Sequence, residues 1–139
     1  MSLQEAIKAV LGNYAKFDGR ARRSEYWYWV LAVVIAEIVV LGIRTVAEGL
    51  GQVLYIALVL AVLVPSLAVA VRRLHDTGRS GWWLLIGLIP IIGAIVLIVF
   101  YVQDSAAGAN EYGPSPKGDA GVVLPPTPPT PPAPPAPPV

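Results

Sequence analysis

Cysteine is absent from the 139-residue chain, and histidine occurs once, at His75. The first absence excludes disulfides, thiolate metal ligands and thiol catalysis together, and it leaves the redox compartment open. The second denies zinc, which normally takes several His or Cys ligands, a ligand set. Charge is scarce too: Asp, Glu, Lys and Arg make up 14% of the residues, whereas AVILMFWYC make up 55%. That balance is too apolar for an ordinary soluble domain. Residues 1–25 also lack the uninterrupted apolar stretch of a secretory signal, so the first apolar run is expected to stay as an anchor.

What is present is long and apolar. Three runs, residues 26–43, 53–71 and 82–102, have 18, 19 and 21 residues, and each reaches across the roughly 30 Å of a bilayer's hydrocarbon. A soluble fold would need polar helices wrapped around them, and the remaining residues are flanks and short loops. The expected fold is an all-α integral membrane protein with three transmembrane helices. Residues 72–81 form a basic loop between the second and third runs.

The placement of charge orients this arrangement. Lys8, Lys16, Arg20, Arg22 and Arg23 precede the first run, and Arg72, Arg73 and Arg79 lie between the second and third, leaving only Arg44 and Lys117 for the other side. The positive-inside rule then predicts a cytoplasmic N-terminus and, after three spans, a C-terminus outside. Tryptophan agrees with one interface: Trp27 and Trp29 open the first run, and Trp82 and Trp83 open the third. An arginine and a serine stand ahead of each opening, Arg23-Ser24 and Arg79-Ser80, as candidate headgroup contact and helix cap.

Ahead of the first run, Leu3, Ile7, Val10, Leu11 and Tyr14 recur at helical spacing, with Glu5, Lys8 and Lys16 elsewhere on the wheel. An amphipathic interfacial helix within a cytoplasmic segment 1–25 is expected, the alternative being a helix packed on the 72–81 loop. Residues 103–124 are polar and rich in turn formers. Residues 125–139, PPTPPTPPAPPAPPV, are a disordered Pro-rich tail that builds no core and favours polyproline II, either as a spacer or as a ligand for an aromatic groove.

Two polar features stand out. The stretch RRLHDTGRSGWW, residues 72–83, offers Arg72, Arg73 and Arg79, together with Arg23, as ligands for anionic lipid headgroups. In the same motif Asp76-Thr77-Gly78 makes a turn, and Ser80, Gly81 and Trp82 start the third run. His75 beside Asp76 suggests a general base and its orienting acid, but neighbours in sequence usually point in different directions. The other feature is Glu37, eleven residues into the first span and about 16 Å from Tyr26, where a charge costs at least about 3 kcal/mol on insertion scales. A neutral Glu37 is expected to donate to the Ala61 carbonyl, which Pro65 leaves free, with Gly93 allowing close approach. Such a residue is a polar pin between helices or protomers, or else part of an ion or proton pathway.

FDGRARRSEYW (17–27), PSLAVAVRRLHDTGRSGWW (65–83) and GANEYGPSP (108–116), in this order around apolar runs, resemble the domain-of-unknown-function 805 family of small bacterial inner-membrane proteins. The resemblance covers roughly residues 10–117. Ser115 stands where the family pattern commonly has aspartate, and the proline tail lies outside the pattern. The resemblance implies a bacterial cytoplasmic membrane location and a common fold, and no activity.

The expected function is therefore that of a non-catalytic membrane scaffold, lipid-binding or interaction module without cofactor or metal. Its expected partners are membrane lipids, a second copy or other membrane proteins, and no nucleic acid. The alternatives are a small channel or transporter subunit using Glu37 in an oligomer, and a membrane enzyme using His75 and Asp76.

Overall fold

The computed structural model describes residues 1–118, 132 and 134–137. Its described elements are helical: α1 (Leu3–Gly12), α2 (Arg23–Val46), α3 (Glu48–Asp76), a 3-10 helix (Gly81–Leu88) and α4 (Ile92–Val102). The expected polyproline tail falls mostly outside the described residues.

A capping box starts α1. The Ser2 hydroxyl accepts from Glu5 N at 3.2 Å, and the Glu5 carboxylate accepts from Ser2 N at 2.6 Å. Asn13 closes the helix by donating its side-chain amide to Ala9 O at 2.7 Å. The apolar stripe then finds a partner in protein. Ala6 and Val10 are buried, and Val10 packs with Ala21, Trp29 and Val69. α1 thus lies against α2 and α3, not on the turn between α3 and the 3-10 helix.

Among the described residues, α2 and α3 are the two helices long and apolar enough to cross a membrane, with mean hydropathy of 2.2 and 2.7 over their most apolar stretches. Both run beyond the expected boundaries. Between them the connection shrinks to Ala47, whose N–H still donates to Ile43 O while its carbonyl accepts from Gly51 N. Glycine is required at Gly51, because a Cβ there would overlap the Arg44 backbone. About a quarter of the way along α2 from its start, Trp29 Nε1 donates to Ser66 Oγ of α3 at 3.0 Å. Pro65 sits inside α3 and frees the Ala61 carbonyl, which accepts the Tyr14 hydroxyl. That acceptor was expected for Glu37; Tyr14 takes it instead.

The third apolar run differs most from expectation. Residues 82–102 are not one spanning helix. They form a hairpin: the 3-10 helix descends from Ser80, the chain reverses at Ile89-Pro90-Ile91, and α4 returns. Three local causes act together. Pro90 cannot continue a helix, Ile91 takes a left-handed φ of 67°, and Gly93 lies so close to the Ile86 carbonyl that any Cβ would overlap it. Eight residues at about 2.0 Å and eleven at about 1.5 Å make both arms close to 16 Å, half a hydrocarbon core. The hairpin leans on α3 and α2 through Leu97 and Tyr101, which pack with Ala70, Leu74, Tyr26 and Trp27. Its two ends therefore meet at the same end of the molecule, whereas a third span would separate them.

Candidate functional site

The sequence expected Arg72, Arg73, His75 and Asp76 in a loop, but these residues form the last turns of α3. The turn itself is short. Arg79 N donates to Leu74 O at 2.9 Å, the Thr77 hydroxyl donates to the same carbonyl at 3.0 Å, and Gly78 supplies the positive φ of 77°. Helical continuation to Asp76 turns Arg72 toward Glu25, Arg73 toward Ala21 and Tyr101, and Asp76 toward Arg20 and Ser105.

Asp76 lies at the centre. Its Oδ1 accepts from Arg20 Nε at 2.9 Å, and its Oδ2 accepts from Arg73 Nη1 and from Ser105 Oγ, the latter at 2.6 Å. Its carbonyl accepts from Ala106 N at 2.8 Å and from Arg20 Nη2 at 3.3 Å. Arg20 extends the network by donating to Ala106 O at 2.6 Å and Gly108 O at 2.7 Å. Arg73 also donates from Nε to Tyr101 O at 3.1 Å and from Nη2 to Gln103 O. A buried carboxylate with two guanidinium partners and a hydroxyl is fully satisfied, the condition under which buried charge is tolerated.

A second buried pair stands beside it. Arg72 Nη1 donates to Glu25 Oε1 at 2.7 Å, with side chains only 4% and 8% exposed. Arg72 Nε and Nη2, Arg22 Nε and Ser24 Oγ are buried without partners among the described residues. Ser24 does not cap α2, whose N-cap is Arg22; Ser80 does cap the 3-10 helix, accepting from Trp82 N at 3.3 Å.

His75 is occupied as well. Its Nδ1 lies 3.0 Å from Gly19 O and so carries a proton, its ring stacks on Tyr112 at 3.9 Å, and Asn110 Nδ2 donates to its carbonyl. Gly81 allows the 3-10 helix to start there, since a Cβ would sit 2.8 Å from Val71 Cγ1 and 3.6 Å from His75 Nε2. His75 and Asp76 do not address one another. Among the described residues no group of three or more His, Asp or Glu side chains is placed to hold a metal ion.

Two of the expected headgroup ligands are thereby corrected. Arg72 and Arg73 are buried in ion pairs because helix α3 continues past the apolar run and points them inward. Arg23 and Arg79 stay at the rim. Arg23 donates to Val102 O at 3.2 Å; Arg79 donates to Gln103 Oε1 at 2.7 Å, its guanidinium 4.0 Å above the Phe100 ring. Trp82 is 79% exposed next to them. Outside the helices, Lys117 holds Asp104, and that contact together with the Ser105 N–H keeps the Asp104 carboxyl below the usual carboxylate value.

Glu37 lies apart from this junction. It is exposed on α2, in a lateral groove of about 340 Å³ lined by Val34, Ile38, Leu41, Arg44 and Tyr55. Neither Ala61 O nor Gly93 is its partner, since Tyr14 fills the first and Ile86 covers the second.

From the sequence Arg20 counted only as one of the basic residues before the first run, and Ser105 and Tyr112 were not singled out. Arg20, Glu25, Asn110 and Tyr112 stand inside the three motif segments, and that was the available signal. In space the motif segments 17–27, 65–83 and 108–116 converge on Asp76 and His75.

Relatives cover most of the chain. Inner membrane protein YhaI of Escherichia coli (strain K12) is 43% identical over 109 residues, covering 78% of this chain and 92% of YhaI. Inner membrane protein YhaH of the same organism is 46% identical over 116 residues, covering 78% of this chain and 93% of YhaH. No solved structure matches the chain. The family described as protein of unknown function (DUF805) matches residues 14–114, which include the first two converging segments and the third as far as Pro114, and the chain belongs to that family of membrane proteins.

Proposed function

We propose that the chain is a non-catalytic inner-membrane interaction module: two spanning helices, α2 and α3, and a half-membrane hairpin entering from the cytoplasmic side. Residues 1–22 and 103–118 then share the cytoplasmic face. This arrangement replaces the three-span expectation of an outside C-terminus. It suits the charges better, because Lys117 joins the eight basic residues already assigned inside, making nine of the ten and leaving Arg44 alone outside.

The observation that carries the reading is the engagement of the motif residues with one another. Asp76, Arg20, Arg73, Arg72 and Glu25 are occupied in buried ion pairs, and His75 is stacked on Tyr112. Groups held this way brace the cytoplasmic end of a helical hairpin. Arg23, Arg79 and Trp82 at the rim suit contact with anionic headgroups at the same interface. The groove around Glu37 is apolar apart from Arg44 and Tyr55 at its outer end, which suits a protein contact better than an ion pathway.

Paired reporters fused after Lys117 test the reading, one active only in the cytoplasm and one active only outside it. The cytoplasmic reporter is expected to be active and the other silent. The opposite result would restore three spans and overturn the hairpin.

A further inference from the structure

Two features of this molecule are unsuited to lipid, and they lie at one depth. The first is Glu37, exposed on α2 without a hydrogen-bond partner among the described residues. A carboxyl facing hydrocarbon is costly, and intramembrane acids normally face protein or water. The second is the hairpin tip. Leu88 and Ile91 are 80% and 76% exposed, Pro90 has no N–H, and the Ile91 N–H makes none of the backbone bonds that hold Ile89, Ile92, Gly93 and Ile95. Irregular backbone at membrane depth is tolerated only where protein or a wet cavity covers it.

Trp27 Nε1 donates to Tyr101 O at 3.2 Å, which sets these two residues level. Glu37 is ten residues from Trp27 and Ile91 is ten residues from Tyr101, so at 1.5 Å per residue each lies about 15 Å deeper. Glu37 also follows Tyr26 by eleven residues, about three turns, and so shares its face of α2. Tyr26 packs on Tyr101 of α4, ring centroids 4.4 Å apart. The carboxyl and the tip therefore open on the same side of the molecule. They do not meet within one chain: the cavities that Glu37 lines are walled by α2, Tyr55 and Ser66, with no residue of the hairpin.

We propose that this face binds a second copy of the chain, with Glu37 of each protomer seated against the Ile89–Ile91 tip of the other. A twofold axis along the membrane normal preserves depth, so it brings each carboxyl level with the opposite tip and makes the contact twice. The chemistry is complementary. The open Ile91 N–H and the uncapped start of α4 supply donors and partial positive charge, and Glu37 supplies the acceptor. The proposal rests on the hairpin reading given above.

The absence of native cysteine makes the test direct. Differently tagged single-cysteine variants, Glu37→Cys and Ile91→Cys, are co-expressed and oxidised in native membranes. A Leu31→Cys partner serves as the control of unmatched depth. A disulfide-linked pair joining the two tags through residues 37 and 91, absent with the control, is expected. No such pair, or a link that forms only within one chain when both cysteines are on it, overturns the contact. As a second measurement free of cysteine, Glu37→Gln should keep the dimer seen by native mass spectrometry, and Glu37→Leu should lose it; an unchanged dimer in Glu37→Leu overturns the role of the carboxyl. The Lys117 reporters separate the two proposals. A cytoplasmic signal without the cross-link overturns only the dimer, and an outside signal overturns both, because no tip then exists.

Discussion

Arg20 and Asp76 stand 56 positions apart in the chain, yet their side chains meet at 2.9 Å with 1% and 0% of their surfaces exposed. This pair ties the segment before α2 to the end of α3. Through Gly108 O and Ala106 O, Arg20 also fastens the chain that follows α4.

Asp76→Ala removes the carboxylate that, among the described residues, pairs with both Arg20 and Arg73, and leaves two guanidinium groups buried without it. A loss of about 3–5 kcal/mol is expected, as for other broken buried pairs. Ser105→Ala, which deletes one hydroxyl donor, should cost about 1 kcal/mol. Unfolding in mixed detergent micelles measures both, and equal losses would refute the central place of Asp76.

For Arg72 and Glu25 the pair and its halves should differ. Glu25→Gln alone strands a buried cation and is expected to cost about 3 kcal/mol, while Glu25→Leu combined with Arg72→Met should cost far less. A double-mutant cycle on the same unfolding assay reads the coupling, and additive single effects would count against the ion pair.

Gly93→Ala should open the hairpin, because the new methyl overlaps the Ile86 carbonyl. Overpacking of this kind costs about 1–3 kcal/mol. Gly42→Ala, with nothing within 4 Å of its would-be Cβ, is the control and should stay within about 0.5 kcal/mol of the parent. Limited proteolysis near residues 88–92 in micelles would reveal the opening.

His75→Ala removes the ring stacked on Tyr112 and the Nδ1 contact to Gly19 O. Amide exchange in residues 108–113 should quicken, with α2 and α3 unchanged. Faster exchange throughout α3 instead would mean that His75 supports the helix itself.

Asp104 titrates below the usual carboxylate value because Lys117, then the Ser105 N–H, favours its charged form. A depressed folded value contributes stability above the unfolded value, and this contribution is lost as pH falls through the folded one. In Lys117→Gln the carboxyl resonance should titrate at higher pH than in the parent. An unmoved midpoint would show that the exposed pair is not formed in solution.

The long helices were legible because their causes are local. Runs of 18 and 19 largely apolar residues bounded by charge mark helices long enough to span a membrane, and Leu3, Ile7 and Val10 mark the buried side of α1 by spacing alone. The motif residues were legible as important and misread in role. A basic run beside a span looks like interfacial charge, and only the close packing of α2 on α3 reveals that Arg72 meets Glu25, 47 positions away. The third run was undecidable from composition. Twenty-one apolar residues satisfy a spanning helix and a folded-back pair of half-length arms equally, since both bury the same side chains in the same solvent. Close contact of Gly93 with Ile86 and the return of Gln103 to Arg73 decide between them, because steric fit and the pairing of buried charge exist only once the chain has folded.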